Sequence, residues 1–353
     1  MKDEFFSARF CDLTPYVPGE QPRGLSGPVK LNTNENPYPP SPSAVKAAIK
    51  RLDKLNLYSD PCGAELRLTI ATYHGLSPEN VVLGNGSDEC LSLLFAGFTD
   101  GGAVFPDVTY GFYKVLAGYY GLSATEVPLK PDFTVDINDY AGKTGTVFIA
   151  NPNAPTGIAL GADKIAALAA ENEQRLVVVD EAYVDFGGES AAGLVKTAKN
   201  VVIVRTFSKS RSLAGGRLGY ILAPENIARD LERLRNSLNP YNINSVTLAM
   251  GKAAVLDDGY FRRNLAKVIA EREKTADGLR KLGFRVLKSA TNFLFVSPPD
   301  ADGKRLYDEL RKRNILVRYF DADRLRPFCR ISIGDKKATS KLLAAVKAIY
   351  GEE

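Results

Sequence analysis

Short, uninterrupted apolar runs recur along the first two thirds of the chain and determine the fold that we expect. They are NVVLG, GAVF, TEVPL, TVFIANP, LVVVDEAY, VVIVRTF and GYILAP. Each run has four to eight residues without polar alternation, which is typical of strands buried on both faces of a sheet. Stretches of helical character, such as SDECLSLLFAGF and ADKIAALAAENEQ, separate many of them. The pattern predicts an α/β layout with a mostly parallel sheet that extends to about residue 235.

Composition changes along the chain suggest three segments. Residues 1–40 are rich in Pro, Gly and Asn, which favours an extended arm. Residues 41–240 hold the large α/β domain, which begins with a helix at SAVKAAIKRLDKL that Ser41 or Ser43 could cap. Residues 241–353 combine charged helices with a few strands, such as NFLFVS and RISIG. This last segment is predicted to be a smaller α+β domain.

Composition also narrows the classes of function. The net charge of +5 over 353 residues is modest and does not favour a nucleic-acid partner. The four cysteines are scattered without CxxC spacing, so reduced thiols are expected and neither a zinc site nor a disulfide framework is indicated. His74 is the single histidine, which argues against histidine-based metal sites and Ser-His-Asp triads. We expect it near a helix C-terminus, where its placement is favourable.

The N-terminal sequence MKDEFFSARF lacks the layout of a signal peptide. No apolar run approaches the roughly 18 residues that a membrane-spanning helix needs. These features predict a cytoplasmic protein without a membrane partner.

The run VVIVRTFSKSRSLAGGRLGY carries the most specific chemical signal. It predicts a strand, a polar turn and a glycine-rich return. Ser208 and Lys209 lie on the turn, and Arg217 follows eight residues after Lys209. A lysine at the mouth of an apolar strand can form a Schiff base with an aldehyde cofactor, while a hydroxyl and an arginine hold the phosphate of that cofactor.

The strand LVVVDEAY ends at Asp180, and Tyr183 follows three residues later. An acid at the end of an apolar strand is costly unless a partner compensates its charge. A protonated pyridine nitrogen would do so, and Tyr183 could then donate its hydroxyl to the phenolate oxygen of the cofactor. The alternative is an acid that holds magnesium in a nucleotide-binding protein, but the chain has no GxxxxGK[ST] loop.

The segment GNGSDE places Gly86, Ser87 and Asp88 between a strand and a helix. Backbone N–H groups at a helix start, with a serine hydroxyl, form an anion site. Ser87 or Asp88 could instead simply cap the helix, and the two roles are compatible.

Three further residues also have purely structural interpretations, which are as plausible as a role in a site for Tyr110 and which local sequence favours for Asn153 and Arg330. Tyr110, in PDVTYGFY, could stack on a planar ring or pack in a core or an interface. Asn153, in NPNAPTG, could belong to a site or only to a well-formed turn. Arg330, in FCRISIG, could clamp a substrate anion or be solvated.

Together these segments resemble the fold-type-I pyridoxal-phosphate aminotransferases, and within that group the family of histidinol-phosphate aminotransferases. The resemblance covers nearly the whole chain in order and spacing, including TPYVPGE, LNTNENPYPPSP, YSDP, GNGSDE, VTYGFY, NPNAPTG, VDEAYVDF, RTFSKSRSLAGGRLGY, PYNIN and ATNFLFV. It implies an aspartate-aminotransferase-like α/β fold, with a large domain built on a mostly parallel mixed sheet and a smaller α+β domain.

The resemblance also implies the roles of the site residues. Lys209 would hold pyridoxal 5'-phosphate covalently and move the proton, Asp180 would pair with the pyridine nitrogen, and Tyr183 would pair with the phenolate oxygen. The remaining roles are ring stacking by Tyr110, phosphate binding by Ser208, Arg217, Gly86, Ser87 and Asp88, a contact of Tyr58 with the phosphate in the other subunit of a homodimer, and substrate binding by Tyr16, Arg318 and Arg330.

Two positions depart from the pattern of that family. Its common loop is NPNNPTG, in which the asparagine before PTG bonds the phenolate oxygen, and here that position is Ala154. Either Asn153 takes over this bond or Tyr183 supports the oxygen alone. Arg211 replaces a small residue in the lysine loop, and we interpret it as solvated or as an additional phosphate ligand.

The activity that the resemblance implies is reversible transamination between L-histidinol phosphate and 2-oxoglutarate, which yields imidazole acetol phosphate and L-glutamate in histidine biosynthesis. Aromatic amino acid aminotransferases and threonine-phosphate decarboxylases share most of these motifs and remain alternatives. A cofactor-binding regulator and a nucleotide-binding α/β protein are further alternatives, although the chain shows neither a P-loop nor a GxGxxG after a strand.

Overall fold

The computed structural model describes residues 5–22 and 27–351. The helices within these residues are α1 (Pro42–Ile49), α2 (Ala64–His74), α3 (Ser87–Gly97), α4 (Phe112–Tyr120), α5 (Ala162–Glu171), α6 (Glu225–Leu238), α7 (Ser245–Leu256), α8 (Asp258–Lys281), α9 (Gly303–Lys312) and α10 (Lys336–Tyr350). The strands are β1 (Val29–Lys30), β2 (Val81–Gly84), β3 (Ala103–Pro106), β4 (Ala124–Val127), β5 (Thr146–Ala150), β6 (Val177–Asp180), β7 (Val201–Thr206), β8 (Gly219–Leu222), β9 (Arg285–Val286), β10 (Phe293–Ser297), β11 (Ile315–Leu316), β12 (Arg318–Tyr319) and β13 (Cys329–Ser332).

A seven-stranded sheet forms the centre of the large domain, with the strand order β2-β8-β7-β6-β5-β3-β4. Only β8 runs antiparallel to its neighbours β2 and β7, and the other pairs are parallel. The predicted mixed and mostly parallel sheet is therefore confirmed. Its parallel strands all end at the same edge, which is where α/β proteins bind ligands.

The central strands are buried on both faces, as their unbroken apolar runs predict. In β7, Val201 and Ile203 pack into the core on one face, while Val202 and Val204 pack into the core on the other. The run TEVPL is an exception, and its predicted burial was wrong. It forms the edge strand β4, in which only Val127 is buried and Glu126 pairs with Lys114 at 2.8 Å. An edge strand lacks a neighbour on one side, so exposed polar residues cost little there.

The small domain contains an antiparallel sheet of order β12-β13-β10-β9, covered by α8, α9 and α10. In a separate pair, β1 of the N-terminal arm runs parallel to β11. The N-terminal arm therefore pairs with a strand of the small domain at residues 29–30, and it does not remain separate up to residue 40.

Helix α7 corrects the predicted domain boundary at residue 240. It packs against α1 and α2, and its residues Ala254 and Val255 belong to a core of the large domain. The small domain thus begins with α8, which the boundary residue Asp257 caps by accepting a hydrogen bond from the backbone N–H of Tyr260. The sequence did not reveal this because α7 is apolar on all sides, and such a helix fits either core.

The start of the large domain follows the predicted cap. The Oγ of Ser41 accepts a hydrogen bond from the backbone N–H of Ala44 at 3.1 Å, so Ser41 and not Ser43 caps α1. In the described part of the chain, none of the helices has the length and apolar character that crossing a membrane requires.

Candidate active site

The carboxyl ends of the parallel strands open into a cavity of about 410 Å³. Strand β6 ends there at Asp180, and β7 leads through Thr206 into the turn that carries Lys209. Residues that are distant in the sequence meet at this edge of the sheet. Eleven of the predicted site residues line the cavity: Tyr16, Ser87, Asp88, Tyr110, Asp180, Tyr183, Ser208, Lys209, Arg217, Arg318 and Arg330.

Hydrogen bonds on both sides of the turn hold Lys209 in place. The backbone N–H of Ser208 donates to the Oγ1 of Thr206 at 3.1 Å, which tightens the turn after β7. The Nδ2 of Asn36 donates to the carbonyl oxygen of Lys209 at 3.0 Å. The Nζ of Lys209 donates to the carbonyl oxygen of Thr33 at 3.3 Å and lines the cavity. A primary amine thus faces the cavity, and within residues 5–22 and 27–351 no carboxylate is hydrogen-bonded to it.

A buried ionic cluster supports the turn from behind. Arg205 on β7 pairs with Glu181 at 2.8 Å and with Asp185 at 2.6 Å. The Oγ of Ser210 donates to Asp185, which anchors the residue next to Lys209. Burial alone would raise the pKa of Asp185, but the guanidinium of Arg205 holds it below its ordinary value. The cluster was not predicted because its members come from different strands and loops.

Asp180 is a buried carboxylate on the wall of the cavity. Its Oδ2 accepts a hydrogen bond from the hydroxyl of Tyr113 at 2.9 Å, and its Oδ1 accepts one from the backbone N–H of Ala182 at 3.1 Å. Among the described residues, no lysine or arginine is bonded to it. Burial raises the pKa of Asp180 to about 6, although both hydrogen bonds act in the opposite direction. A cationic group entering the cavity would relieve this cost.

The opposite wall offers groups that bind an anion. Gly86 is the N-cap residue of α3 and supplies no side-chain cap, so neither Ser87 nor Asp88 caps this helix. The first N–H groups of the helix are therefore available to a ligand. Arg217 lies beside them and contacts Asp88 at 3.1 Å and the Oγ of Ser208 at 3.5 Å. Gly86 does not line the cavity, but a Cβ there would come within 2.5 Å of the Nη2 of Arg217.

Arg330 closes the far end of the cavity on the side of the small domain. Its Nη2 donates to the carbonyl oxygen of Asn32 at 3.0 Å, and its guanidinium lies 5.4 Å and 5.7 Å from the ring centroids of Phe293 and Phe320. Its Nε has no hydrogen-bond partner among the described residues. Burial lowers the pKa of Arg330. The residue is thus held between aromatic rings and is not freely solvated.

The N-terminal arm places two more predicted residues at this end. The Nη2 of Arg318 donates to the carbonyl oxygen of Val17 at 3.1 Å. The ring of Tyr16 meets those of Tyr110 and Phe112 edge-on, with centroids 6.1 Å and 5.9 Å away. Burial raises the pKa of Tyr16. The cavity therefore ends in two cations flanked by aromatic rings.

Asn153 and Tyr58 lie outside the cavity. The Nδ2 of Asn153 donates to the carbonyl oxygen of Val108 and to the Oγ1 of Thr156, while its Oδ1 accepts from Thr109. Both hydrogens of the amide are thus engaged, by the 108–109 segment and by Thr156 of its own loop, and Asn153 offers neither of them to the cavity. Tyr58 is 83% exposed and stacks on Tyr241 with centroids 4.5 Å apart.

Contacts with residues distant in the sequence determine the surroundings of Arg211 and His74. Arg211 is neither solvated nor in the cavity: it lies 3.7 Å from the ring centroid of Phe261 and donates to the carbonyl oxygen of Ala254. His74 ends helix α2, as expected; it is half-buried, and its Nε2 is hydrogen-bonded to the hydroxyl of Tyr220 at 2.9 Å. Burial lowers the pKa of His74 to about 3, so the ring is neutral and does not interact with the helix dipole as a cation.

Tyr113 and Asn34 are the site residues that sequence reasoning missed. Tyr113 lies three residues after Tyr110 at the start of α4, so helical spacing could have placed both side chains on one face. Asn34 lines the cavity and donates to Tyr183, but its LNTNENP segment shows no strand or helix signal.

The charge of Asp180 leads to a prediction about pH and stability. The pKa of Asp180 is raised from 3.8 to about 6 in the folded protein. The protonated carboxyl therefore contributes stability that is fully present below about pH 4. This contribution is lost as the pH rises through about 6. We expect Asp180→Asn to stabilise the cofactor-free protein above about pH 7, by up to about 3 kcal/mol. The gain should vanish near pH 4, roughly at the pKa of an unperturbed carboxyl. Urea unfolding at both pH values measures it.

Asp323→Asn is the matched control, because this carboxylate is 91% exposed. It should change the unfolding free energy little at either pH. Equal stability of D180N and the wild-type protein above about pH 7 would contradict the expected cost of burial.

Comparison with known proteins supports the resemblance to aminotransferases that the sequence motifs indicate. The profile of the family described as "Aminotransferase class I and II" matches residues 26–346. A histidinol-phosphate aminotransferase of Clostridium acetobutylicum is 44% identical over 347 residues, covering 98% of this chain and 98% of that protein. Histidinol-phosphate aminotransferase 1 of Pseudomonas aeruginosa is 45% identical over 346 residues, covering 97% and 98%.

A similar solved structure is that of histidinol-phosphate aminotransferase from Sinorhizobium meliloti in complex with pyridoxal-5'-phosphate. It is 26% identical, covers 99% of each chain and has a TM-score of 0.89. The predicted fold type is therefore confirmed. On the matched profile and the identity with these relatives, the chain belongs to the class I and II aminotransferases.

Proposed function

We propose that the chain is a pyridoxal-phosphate-dependent histidinol-phosphate transaminase. It would convert L-histidinol phosphate and 2-oxoglutarate to imidazole acetol phosphate and L-glutamate in histidine biosynthesis. The observation that carries the proposal is a cavity in which Lys209 and the buried acid Asp180 lie together, in a chain 44% identical to a histidinol-phosphate aminotransferase. A cytoplasmic location is part of this proposal.

The walls of the cavity fit pyridoxal phosphate by their chemistry. Asp180 is buried, has no cationic partner among the described residues and would pair with a protonated ring nitrogen. Ser208, Arg217 and the N-terminus of α3 would hold the phosphate. Lys209 would hold the aldehyde carbon. When bound, the cofactor supplies an electron sink for the transfer of the amino group.

The residues of the chain would then supply proton transfer and orientation. The Nζ of Lys209 would take the proton from the substrate carbon that bears the amino group. It would then deliver this proton to the cofactor as the amino group is transferred. Asp180 would keep the ring nitrogen charged, since a carboxylate beside a cation favours the charged forms of both. Tyr110 would pack against the ring, and Tyr183 would donate its hydroxyl to the phenolate oxygen.

The two arginines suit an anionic substrate. Arg318 and Arg330 are the cations at the far end of the cavity, and both face Tyr16. Histidinol phosphate, glutamate and 2-oxoglutarate all carry an anionic group that a guanidinium can bind through two parallel hydrogen bonds. The neighbouring aromatic rings would exclude water and strengthen these contacts.

A homodimer is the second part of the proposal. Apolar side chains are concentrated on the exposed segment 49–58, where Ile49 is 62% and Leu57 is 63% exposed. The exposed ring of Tyr58 and its stacking partner Tyr241 continue this patch. Such a surface needs a partner, and a second copy of the chain would cover it. Tyr58 would then reach the phosphate site of that copy.

Lys209→Ala tests the assignment of the lysine. We expect the loss of turnover and of the visible absorbance that wild-type protein shows after incubation with pyridoxal phosphate, because no other described residue offers an amine to the cavity. Lys199→Ala is the control, since Lys199 lies at the opposite end of β7 and pairs with Glu173 on the surface. Turnover of K209A near the wild-type rate would refute the assignment.

A substrate panel tests the specific reaction. With 2-oxoglutarate as acceptor, kcat/KM should be at least about tenfold higher for histidinol phosphate than for phenylalanine. With threonine phosphate, the products are analysed for release of carbon dioxide. A higher kcat/KM for phenylalanine would indicate an aromatic aminotransferase, and carbon dioxide as the main product would indicate a decarboxylase.

Light scattering and sedimentation test the homodimer. We expect a mass of about twice 38.4 kDa for the wild-type protein and a monomer for Leu57→Asp, because an unpaired charge in an apolar interface is costly. Leu57→Met keeps the side chain apolar and should leave the dimer intact. A monomeric wild-type protein at micromolar concentration would exclude the homodimer.

A further inference from the structure

One cavity-lining position of the 151–157 loop carries no side-chain donor. Ala154 lines the cavity at this place, and a methyl group donates no hydrogen bond. The neighbouring Asn153 is turned away with both of its amide hydrogens engaged, at 2.9 Å and 3.1 Å. The loop of these residues therefore offers no side-chain amide to a ligand in the cavity.

The hydroxyl of Tyr183 meets a different amide. The Nδ2 of Asn34 lies 3.0 Å from it and donates the hydrogen bond. A phenolic hydroxyl has one hydrogen to give, and an amide nitrogen cannot accept it. The hydrogen of Tyr183 is therefore free for another acceptor, and the structure shows none for it within the described residues. Since Tyr183 lines the cavity, this hydrogen is available to an acceptor bound there.

Asn34 is held firmly in this orientation. The Oγ of Ser332 accepts a hydrogen bond from the backbone N–H of Asn34 at 2.8 Å and donates one to its Oδ1 at 2.9 Å, so the Nδ2 faces Tyr183. The carbonyl oxygen of Asn34 accepts from the Nδ2 of Asn292 at 2.9 Å. Asn34 is 1% exposed, and its φ of 56° is one that asparagine tolerates better than most residues.

We infer that Asn34 is a positioning residue, which acts through Tyr183 to keep the tyrosine hydroxyl as a donor toward the phenolate oxygen of the cofactor. In this chain, with Ala154 lining the cavity, the hydroxyl of Tyr183 is held as a donor by a residue of the N-terminal arm and not by one of the 151–157 loop. A preorganised donor at a charged oxygen favours the anionic form of that oxygen without reorganisation. The inference rests on the proposed function, because it requires that the cofactor binds in this cavity.

The test measures protonation in the cofactor-loaded protein and not its turnover. A hydrogen bond donated to the phenolate oxygen stabilises its anionic form and lowers its affinity for the proton that it shares with the Nζ of Lys209. Loss of this hydrogen bond therefore raises the pKa of the shared proton. We expect Asn34→Gly to raise the midpoint of the visible absorbance titration by roughly one pH unit. Glycine is chosen because it adopts the positive φ of this position without strain.

Asn34→Asp provides the second variant. It keeps the shape of the side chain, but the introduced carboxylate accepts the hydrogen of Tyr183 and draws it away from the cavity. Its titration midpoint should rise at least as far as that of N34G. If either variant fails to fold, Ser332→Ala removes only the anchor of the amide and should shift the midpoint in the same direction by a smaller amount.

Two controls separate positioning from general destabilisation. Asn200→Ala removes another buried asparagine, whose Nδ2 donates to the carbonyl oxygens of Ala169, Asn172 and Arg175 at the far end of the sheet. It should lower thermal stability and leave the midpoint unchanged. In a Tyr183→Phe background, Asn34→Gly should produce no further shift, because Asn34 acts through the lost hydroxyl.

An unchanged midpoint in N34G and N34D would overturn the inference, and so would a full shift of N34G in the Y183F background. Failure of the proposed function would look different. In that case the wild-type protein itself would show no visible absorbance with pyridoxal phosphate, and there would be no titration to compare.

Discussion

Burial of the central strands on both faces is the constraint on which the rest of this structure depends. A strand such as β6 has no polar face, so a charged residue in such a strand must lie at an end or be paired with an opposite charge. Asp180 lies at such an end, where burial raises its pKa to about 6, and it has no cationic partner among the described residues. The arrangement that stabilises the sheet therefore also buries a carboxylate, and a cationic ligand would compensate its negative charge.

The ionic cluster behind the lysine turn follows from the same constraint. Arg205 lies within a buried strand and must be paired, and it meets Glu181 and Asp185. Removing one partner of a buried ion pair leaves an uncompensated charge, so such clusters resist change. Ser210, the residue next to Lys209, is bound to this cluster through its hydrogen bond to Asp185. The turn that carries Lys209 is therefore held by a cluster that tolerates little change.

Sequence patterns captured the features that depend on local order. The unbroken apolar runs predicted the strands, and residues at strand ends predicted the cavity, including Lys209, Asp180 and Arg217. The predictions failed where long-range packing decided the outcome. The location of TEVPL at an edge, the neutral state of His74 and the aromatic contact of Arg211 all depend on neighbours far away in sequence. Asn34 was missed for the same reason, since its partners Tyr183 and Ser332 lie 149 and 298 residues away.

Strand β13 carries two residues that serve different ends of the cavity. Arg330 and Ser332 are separated by one residue, so their side chains lie on the same face of the strand. In the proposed function Arg330 would bind the anionic end of the substrate, while Ser332 anchors the amide that contacts Tyr183. A small displacement of this strand would change the grip on the substrate and the direction of the hydroxyl together. If Arg330 and Asn34 act as proposed, a change of substrate preference through this strand would also alter the acid–base behaviour of the cofactor site, whereas a change near Tyr16 would alter substrate choice alone.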